Sequence, residues 1–251
     1  MEFLTASTVC TKAIRLGVLV VFFISCKQGV ETKNIADKEM SNAVGKDTIA
    51  LEIKQQSTLK SYQELEVLND TTFIRLADYS DDFAYDMRYA TENNFLKAKV
   101  YDCAECYTRV KTAKALLKAN AQFKTLGYRI LFYDCYRPND VQYKMWALVP
   151  NPQYVANPVK GSIHNKGGAV DIGLQTLSGE LVAMGTDFDF FGKRAYHDFT
   201  DLPKEILEHR RLLKEIMETH GFWSIRTEWW HYNLASASND AIANFKWDCI
   251  K

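Results

Sequence analysis

Ser162-Ile163-His164-Asn165-Lys166-Gly167-Gly168-Ala169-Val170-Asp171-Ile172-Gly173-Leu174 is the stretch on which the reading of this chain turns. Adjacent glycines at 167 and 168 make a poor helix and a good turn. The run after them, Ala169 to Leu174, is short and partly alternating and reads as a strand. Side chains alternate faces in a strand, so Asp171 and Gly173 share one face while Val170, Ile172 and Leu174 take the other. A single Asp presented from a strand, beside a glycine that leaves room, suits a metal ligand. A second stretch, Glu228-Trp229-Trp230-His231, adds an imidazole and a carboxylate three residues ahead of it. As a regular strand it would put Glu228 and His231 on opposite faces; a turn or bulge near Trp229 would bring them together. His164, Asp171 and His231, with Glu228 in reserve, are the inventory of a catalytic zinc site: three protein ligands, an open position and an acid/base.

Each stretch has a plainer explanation when taken alone. A His-x6-Asp pair arises by chance, and Glu-Trp-Trp-His would serve as an aromatic core strand with a charged edge. The chain holds five histidines. Of the other three, His209 and His220 fall on an expected helix among Arg210, Arg211 and Lys214, which reads as a solvated face, and His197 falls in a polar loop.

Taken together, Ser-x-His-x-x-Gly-x-Ala-x-Asp and a downstream Glu-x-x-His resemble the zinc D-Ala-D-Ala peptidases, and within them the D-alanyl-D-alanine dipeptidases of the VanX type. Further segments agree in order from about Thr72 to Leu234: Asp86-Met87-Arg88-Tyr89-Ala90-Thr91, Tyr136-Arg137-Pro138, Gly179 to Val182, Met184-Gly185, Phe188-Asp189-Phe190 and Arg210-Arg211-Leu212. The resemblance implies a hedgehog/D-Ala-D-Ala peptidase-like fold and one zinc ion per chain, held by His164, Asp171 and His231. It implies Glu228 as the proton carrier and Arg137 as the cation that shares the oxyanion. It also implies that Asp189 and Tyr89 meet the substrate ammonium and Ser162 its carboxylate. The expected substrate is a small D-amino-acid dipeptide. An anionic Asp189 would reward a free amino terminus and penalise an acylated one, which favours a dipeptidase over an enzyme that trims longer stems. A D,D-carboxypeptidase or endopeptidase with the same centre is the nearest alternative. A non-catalytic zinc-bearing interaction module is the other, although a structural site needs neither Glu228 nor Arg137.

Around these motifs the periodicity is that of a single α+β domain, a mostly antiparallel sheet flanked by helices. Thr108 to Leu126 carries a helical stripe (Val110, Ala113, Leu116, Leu117, Ala121, Phe123) closed by Gly127. Tyr128 to Asp134 is aromatic and branched, a strand that delivers Tyr136-Arg137-Pro138 to its end. Pro138 starts a helix to about Leu148, and Asn151 to Gly161 is a loop. Asp201 to His220 is a helix capped by Thr200 or Asp201 and stopped by Gly221. Phe222 to Arg226 and Trp230 to Leu234 read as strands. An apolar content of 47% supports a folded core, and 31 basic against 31 acidic residues provide no field to attract nucleic acid.

The ends are of a different kind. Lys12 and Arg15 precede an apolar run from Leu16 to Ile24 that is short for a membrane span, so residues 1–25 read as a secretion signal. Ser25-Cys26 resembles a bacterial lipoprotein processing site, which implies a lipid on Cys26 and a place in the bacterial cell envelope, anchored to a membrane; a soluble periplasmic protein is the alternative. Residues 26–69 are polar and suit a tether, with Leu51-Glu52-Ile53 and Leu65-Glu66-Val67 as short alternations that would add a strand. The enzymatic domain is expected over 70–251. Cys103, Cys106, Cys135 and Cys249 remain as disulfide partners or free thiols, and their pairing is not legible.

Overall fold

A computed structural model describes residues 60–249 of the chain. The expected signal over 1–25, the lipidation site Cys26 and the alternation at Leu51 to Ile53 lie outside the described residues. In chain order the elements are α1 (Tyr62–Glu66), β1 (Phe73–Arg75), β2 (Ala84–Tyr85), β3 (Tyr107–Arg109), α2 (Val110–Thr125), β4 (Tyr128–Asp134), α3 (Asn139–Leu148), β5 (Ala169–Thr176), α4 (Lys204–Thr219), β6 (Phe222–Ser224) and β7 (His231–Leu234). Short 3-10 turns lie between them, one of them His164–Lys166.

The main sheet has five strands in the order β2-β4-β5-β7-β6. Only the β2–β4 pair is parallel; the other three are antiparallel. β1 and β3 form a separate antiparallel pair. This is the α+β arrangement expected, with β4 and β5 as its long interior strands.

The helices form where the apolar stripe calls for them. Val110, Ala113, Leu116, Ala119 and Phe123 of α2 recur every three or four residues and are fully buried. Ile130 to Asp134 of β4 are buried in an unbroken run, as befits a strand covered on both faces. Each large side chain so buried contributes about 1.5–3 kcal/mol of transfer free energy.

Several boundaries differ from the sequence expectation. Leu65-Glu66-Val67 is the end of a helix and the residue after it, not a strand: Ser61 Oγ accepts from Glu64 N at 3.2 Å while Glu64 Oε2 accepts from Ser61 N at 2.6 Å, a reciprocal cap that overrides the alternation. Leu65 is fully buried, so the folded unit reaches back before residue 70. Thr108 belongs to β3 rather than to α2, because Ile74 pairs with it. α4 starts at Lys204 with Pro203 at its N-cap, past Thr200 and Asp201, because a proline suits a helix start and forces the residue before it out of helical geometry.

Both bridges that the four cysteines allow are formed in one pairing, Cys103–Cys249 and Cys106–Cys135.

Candidate metal and catalytic site

The site is assembled by register. Asp171 of β5 lies directly opposite His231 of β7 and, on its other side, opposite Asp134 at the end of β4. Cross-strand partners project from the same face, so the sheet itself brings three polar side chains into a row. His164 joins them from the 3-10 turn that precedes β5. That turn is closed by Gly167, at φ 72, where a Cβ would stand 2.5 Å from the Phe73 ring; only glycine meets both demands.

The three expected ligands converge. His164 Nε2 lies 3.2 Å from His231 Nδ1 and 3.4 Å from Asp171 Oδ1, and His231 Nδ1 lies 2.9 Å from Asp171 Oδ1. Ligands about 2.0–2.1 Å from a tetrahedral zinc stand roughly 3.3 Å apart, so the spacing fits. The outer nitrogens are committed elsewhere. His164 Nδ1 donates to the Cys135 carbonyl at 2.7 Å, and His231 Nε2 to Asn233 Oδ1 at 2.9 Å. Each imidazole is thereby held in the tautomer that turns a lone pair inward. Burial works to raise the Asp171 pKa, but His164 and His231 together outweigh it and hold the carboxyl below its usual range.

Glu228 does share the site. Residues 225–230 form a turn, and β7 begins only at His231, so the strand parity that would separate Glu228 from His231 does not apply. Glu228 Oε2 stands 4.0 Å from His231 Nδ1. Burial, with the charge of Asp171 behind it, raises its pKa above the ordinary carboxylate value. Trp229 and Trp230 are also core residues, 2% and 1% exposed, so the aromatic-core explanation and the site coexist in adjacent positions.

Arg137 is buried, with Nε and Nη2 donating to Asp134 Oδ2 at 3.2 and 2.6 Å and Nη1 donating to Gln142 Oε1 at 3.0 Å. Its guanidinium lies 5.3 Å from the Tyr89 ring centroid. Tyr89 in turn donates to Asp189 at 3.1 Å. Asp189 has φ 61, a backbone conformation that Asp tolerates better than most residues. Burial first, then the charge of Asp171, pushes its pKa well above the ordinary value. Ser162 lines the same cleft; its backbone N donates to Asn165 Oδ1 at 2.7 Å, and its hydroxyl is buried without a partner. The cleft that holds all of these residues has a volume of about 360 Å³.

Some residues of the site escaped the sequence reading. Asp134, fully buried, anchors Arg137 with one oxygen and accepts from Tyr101 Oη and its neighbour Cys135 N with the other. Gln142 braces the guanidinium and donates to Ala156 O at 2.8 Å. Asn233 had a signal, since it lies two residues past His231 on the same strand face. One expectation is corrected. The space beside Gly173 belongs to Tyr133, whose hydroxyl would stand 2.8 Å from a Cβ there, and not to a metal. His197 lies in a loop as expected; it packs 6.3 Å from the Tyr232 ring, and burial, then Lys214 and Arg210, push its pKa down to about 4.

With this geometry in view, the comparisons with known proteins agree with one another. The family model for D-Ala-D-Ala dipeptidases, peptidase family M15, matches residues 69–248. The D-alanyl-D-alanine dipeptidase of Escherichia coli (strain K12) is 31% identical over 184 residues, covering 73% of this chain and 95% of that protein. The D-alanyl-D-alanine dipeptidase of Enterococcus faecalis (strain ATCC 700802 / V583) is 32% identical over 183 residues, covering 64% and 91%. That of Enterococcus faecium is 34% identical over 174 residues, covering 60% and 85%. The match spans every strand of the main sheet and all of the converging side chains, and the chain belongs to the D-Ala-D-Ala dipeptidase family of peptidases, M15.

Proposed function

We propose that this chain is a zinc metallopeptidase that hydrolyses the free dipeptide D-Ala-D-Ala. The observation that carries the reading is the meeting of His164, Asp171 and His231 within ligand distance of one another, with Glu228 beside them. Two imidazole nitrogens and one carboxylate oxygen are a donor set that zinc favours, and both imidazoles have the outer hydrogen bond of a metal ligand. Bound there, zinc would supply Lewis acidity and a lowered pKa for water at the open position.

The remaining roles belong to the chain. Glu228 takes a proton from the attacking water and returns it to the leaving amine. Arg137 offers its charge to the oxyanion, and Asp134 and Gln142 fix the guanidinium in advance, so little reorganisation is required as charge develops. Asp189 and Tyr89 receive the ammonium. In the free protein Asp189 is costly to ionise, because it is buried and faces the charge of Asp171. An ammonium entering beside it offsets that cost, whereas an acylated nitrogen does not. Specificity for a free amino terminus follows from this difference.

A longer ligand has one observation in its favour. A second cavity of about 320 Å³, lined by Gln153, Tyr154, Phe191 and Tyr196, shares the Glu228 wall with the cleft. A D,D-carboxypeptidase or endopeptidase would use that space.

Residues 1–26 support export and a lipid on Cys26, and two disulfides are what an exported chain can hold. On this reading the protein works at the bacterial cell envelope and recovers dipeptide released from the wall.

The deciding experiment offers the purified full-length protein three substrates: D-Ala-D-Ala, N-acetyl-D-Ala-D-Ala and a stem pentapeptide ending in D-Ala-D-Ala. Release of D-Ala from the free dipeptide alone, abolished by a chelator and restored by zinc, is expected. Turnover of the blocked or long substrates would move the protein to the wall-trimming class and remove the role given to Asp189.

A further inference from the structure

The segment from Asp134 to Arg137 leaves β4 and immediately touches the turn that carries His164. The Cys135 carbonyl accepts from His164 Nδ1 at 2.7 Å, Arg137 N donates to His164 O at 3.2 Å, and Asn165 Nδ2 donates to Arg137 O at 2.8 Å. The side chain of Cys135 points away from these contacts into the Cys106–Cys135 bridge, which ties the end of β4 to the residue before β3. Alongside the bridge, Tyr136 N donates to Tyr107 O at 2.9 Å. Both cysteines are buried, at 3% and 0% exposure.

The group that orients His164 is a backbone carbonyl. No side-chain change at 135 can delete it, and only its placement can vary. The bridge is the covalent part of that placement. The other disulfide, Cys103–Cys249, ties down the C-terminal segment, and the hydrogen bonds of His164, Asp171 and His231 go to other residues.

We infer that the Cys106–Cys135 disulfide is a positioning element for the metal ligand His164: it fixes the Cys135 carbonyl, and through it the orientation of the imidazole and the affinity for zinc, whereas Cys103–Cys249 serves the stability of the fold. The inference rests on reading His164, Asp171 and His231 as zinc ligands. It predicts opposite rankings for two measurements. Loop-closure entropy grows with the length of the closed loop, and the bridges span 146 and 29 residues. Stability should therefore depend more on Cys103–Cys249, and zinc affinity more on Cys106–Cys135.

The test compares full-length wild type with Cys106→Ala/Cys135→Ala and with Cys103→Ala/Cys249→Ala. Zinc affinity is read by competition with a chromophoric chelator, and Tm is read on the metal-free forms. The expected result is a loss of affinity that approaches the roughly ten-fold effect of losing an outer partner of a ligand, since the carbonyl is displaced and not removed, in Cys106→Ala/Cys135→Ala only. The larger drop in Tm is expected in Cys103→Ala/Cys249→Ala. Unchanged affinity in the first variant, or equal losses in both, overturns the inference. Should the first variant fail to fold, the folded Cys103→Ala/Cys249→Ala protein, which retains only the 106–135 bridge, is titrated before and after reduction by a phosphine, with the same outcomes deciding. Wild type that binds no zinc sinks the ligand reading and takes the inference with it, a result distinct from either of the others.

Discussion

At the scale of single residues, the site separates groups that act by charge from groups that hold them. Glu228→Gln keeps the shape and removes the proposed base, so kcat should fall by about 10²–10⁴-fold while zinc titration still gives one ion per chain; loss of the ion would instead make Glu228 a ligand. Asp189 allows a sharper prediction, because the role proposed for it opposes its stability. A carboxyl whose folded pKa is raised contributes stability that is present below its ordinary value of 3.8 and is lost as pH rises through the folded value. Asp189→Asn removes that loss. Its Tm should exceed wild type at neutral pH, the gain should shrink toward about pH 4, and KM for the free dipeptide should rise. A Tm at or below wild type at neutral pH would mean that the carboxylate is paired in the free protein. The residues legible from their own chemistry are those unusual for their setting, His164, Asp171, His231 and Glu228, whereas Arg137 was reached through the family resemblance. Asp134 and Gln142 were hidden because each looks like an ordinary polar residue until the β4–β5 register and the turn into α3 (Asn139–Leu148) place them against the guanidinium.

Among the elements, the turn into β5 constrains the site most. At Gly168 a Cβ would meet the Ala237 Cβ at 2.3 Å, and the Gly168 carbonyl accepts from Leu234 N at the end of β7 at 2.8 Å. Gly168→Ala therefore presses on the turn that follows the strand carrying His231. A cost of about 1–3 kcal/mol from overpacking should appear in denaturant unfolding, together with weaker zinc binding. Ala237→Gly should restore both in the double variant; a double variant no better than Gly168→Ala would place the strain elsewhere. Long elements with a strong internal period were legible: β4 lies over Tyr128–Asp134 as expected, and α2 and α4 fall within their expected spans. The short ones were not. β2 has two residues and exists because the chain there runs beside Leu131 and Phe132, a long-range pairing without local signature. The helix at 62–66 was written in Ser61-Tyr62-Gln63-Glu64, a capping box that outweighs three alternating residues.

For the whole molecule, stability and activity should be linked through the metal. Zinc that binds the folded chain and not the unfolded one adds about 2.7 kcal/mol at a hundred-fold excess over Kd. A chelator should lower Tm reversibly in wild type and leave Tm unchanged in a His164→Ala/His231→Ala double variant. An equal shift in both would mean that the chelator acts away from this site. The domain class was legible because strand and helix periods alternate clearly across the chain. The disulfide pairing was not, since four cysteines allow three connectivities and the choice depends on which strand ends meet. The sheet has a further consequence for a protein packed among copies of itself. An open sheet edge is a template for a neighbouring chain. Among the described residues the outer strands of the main sheet are β2, with two residues, and β6, with three, and β2 covers only Leu131 and Phe132 of the seven-residue β4. The two outer strands of the main sheet thus offer a neighbouring chain little backbone on which to start pairing when many such molecules are crowded together.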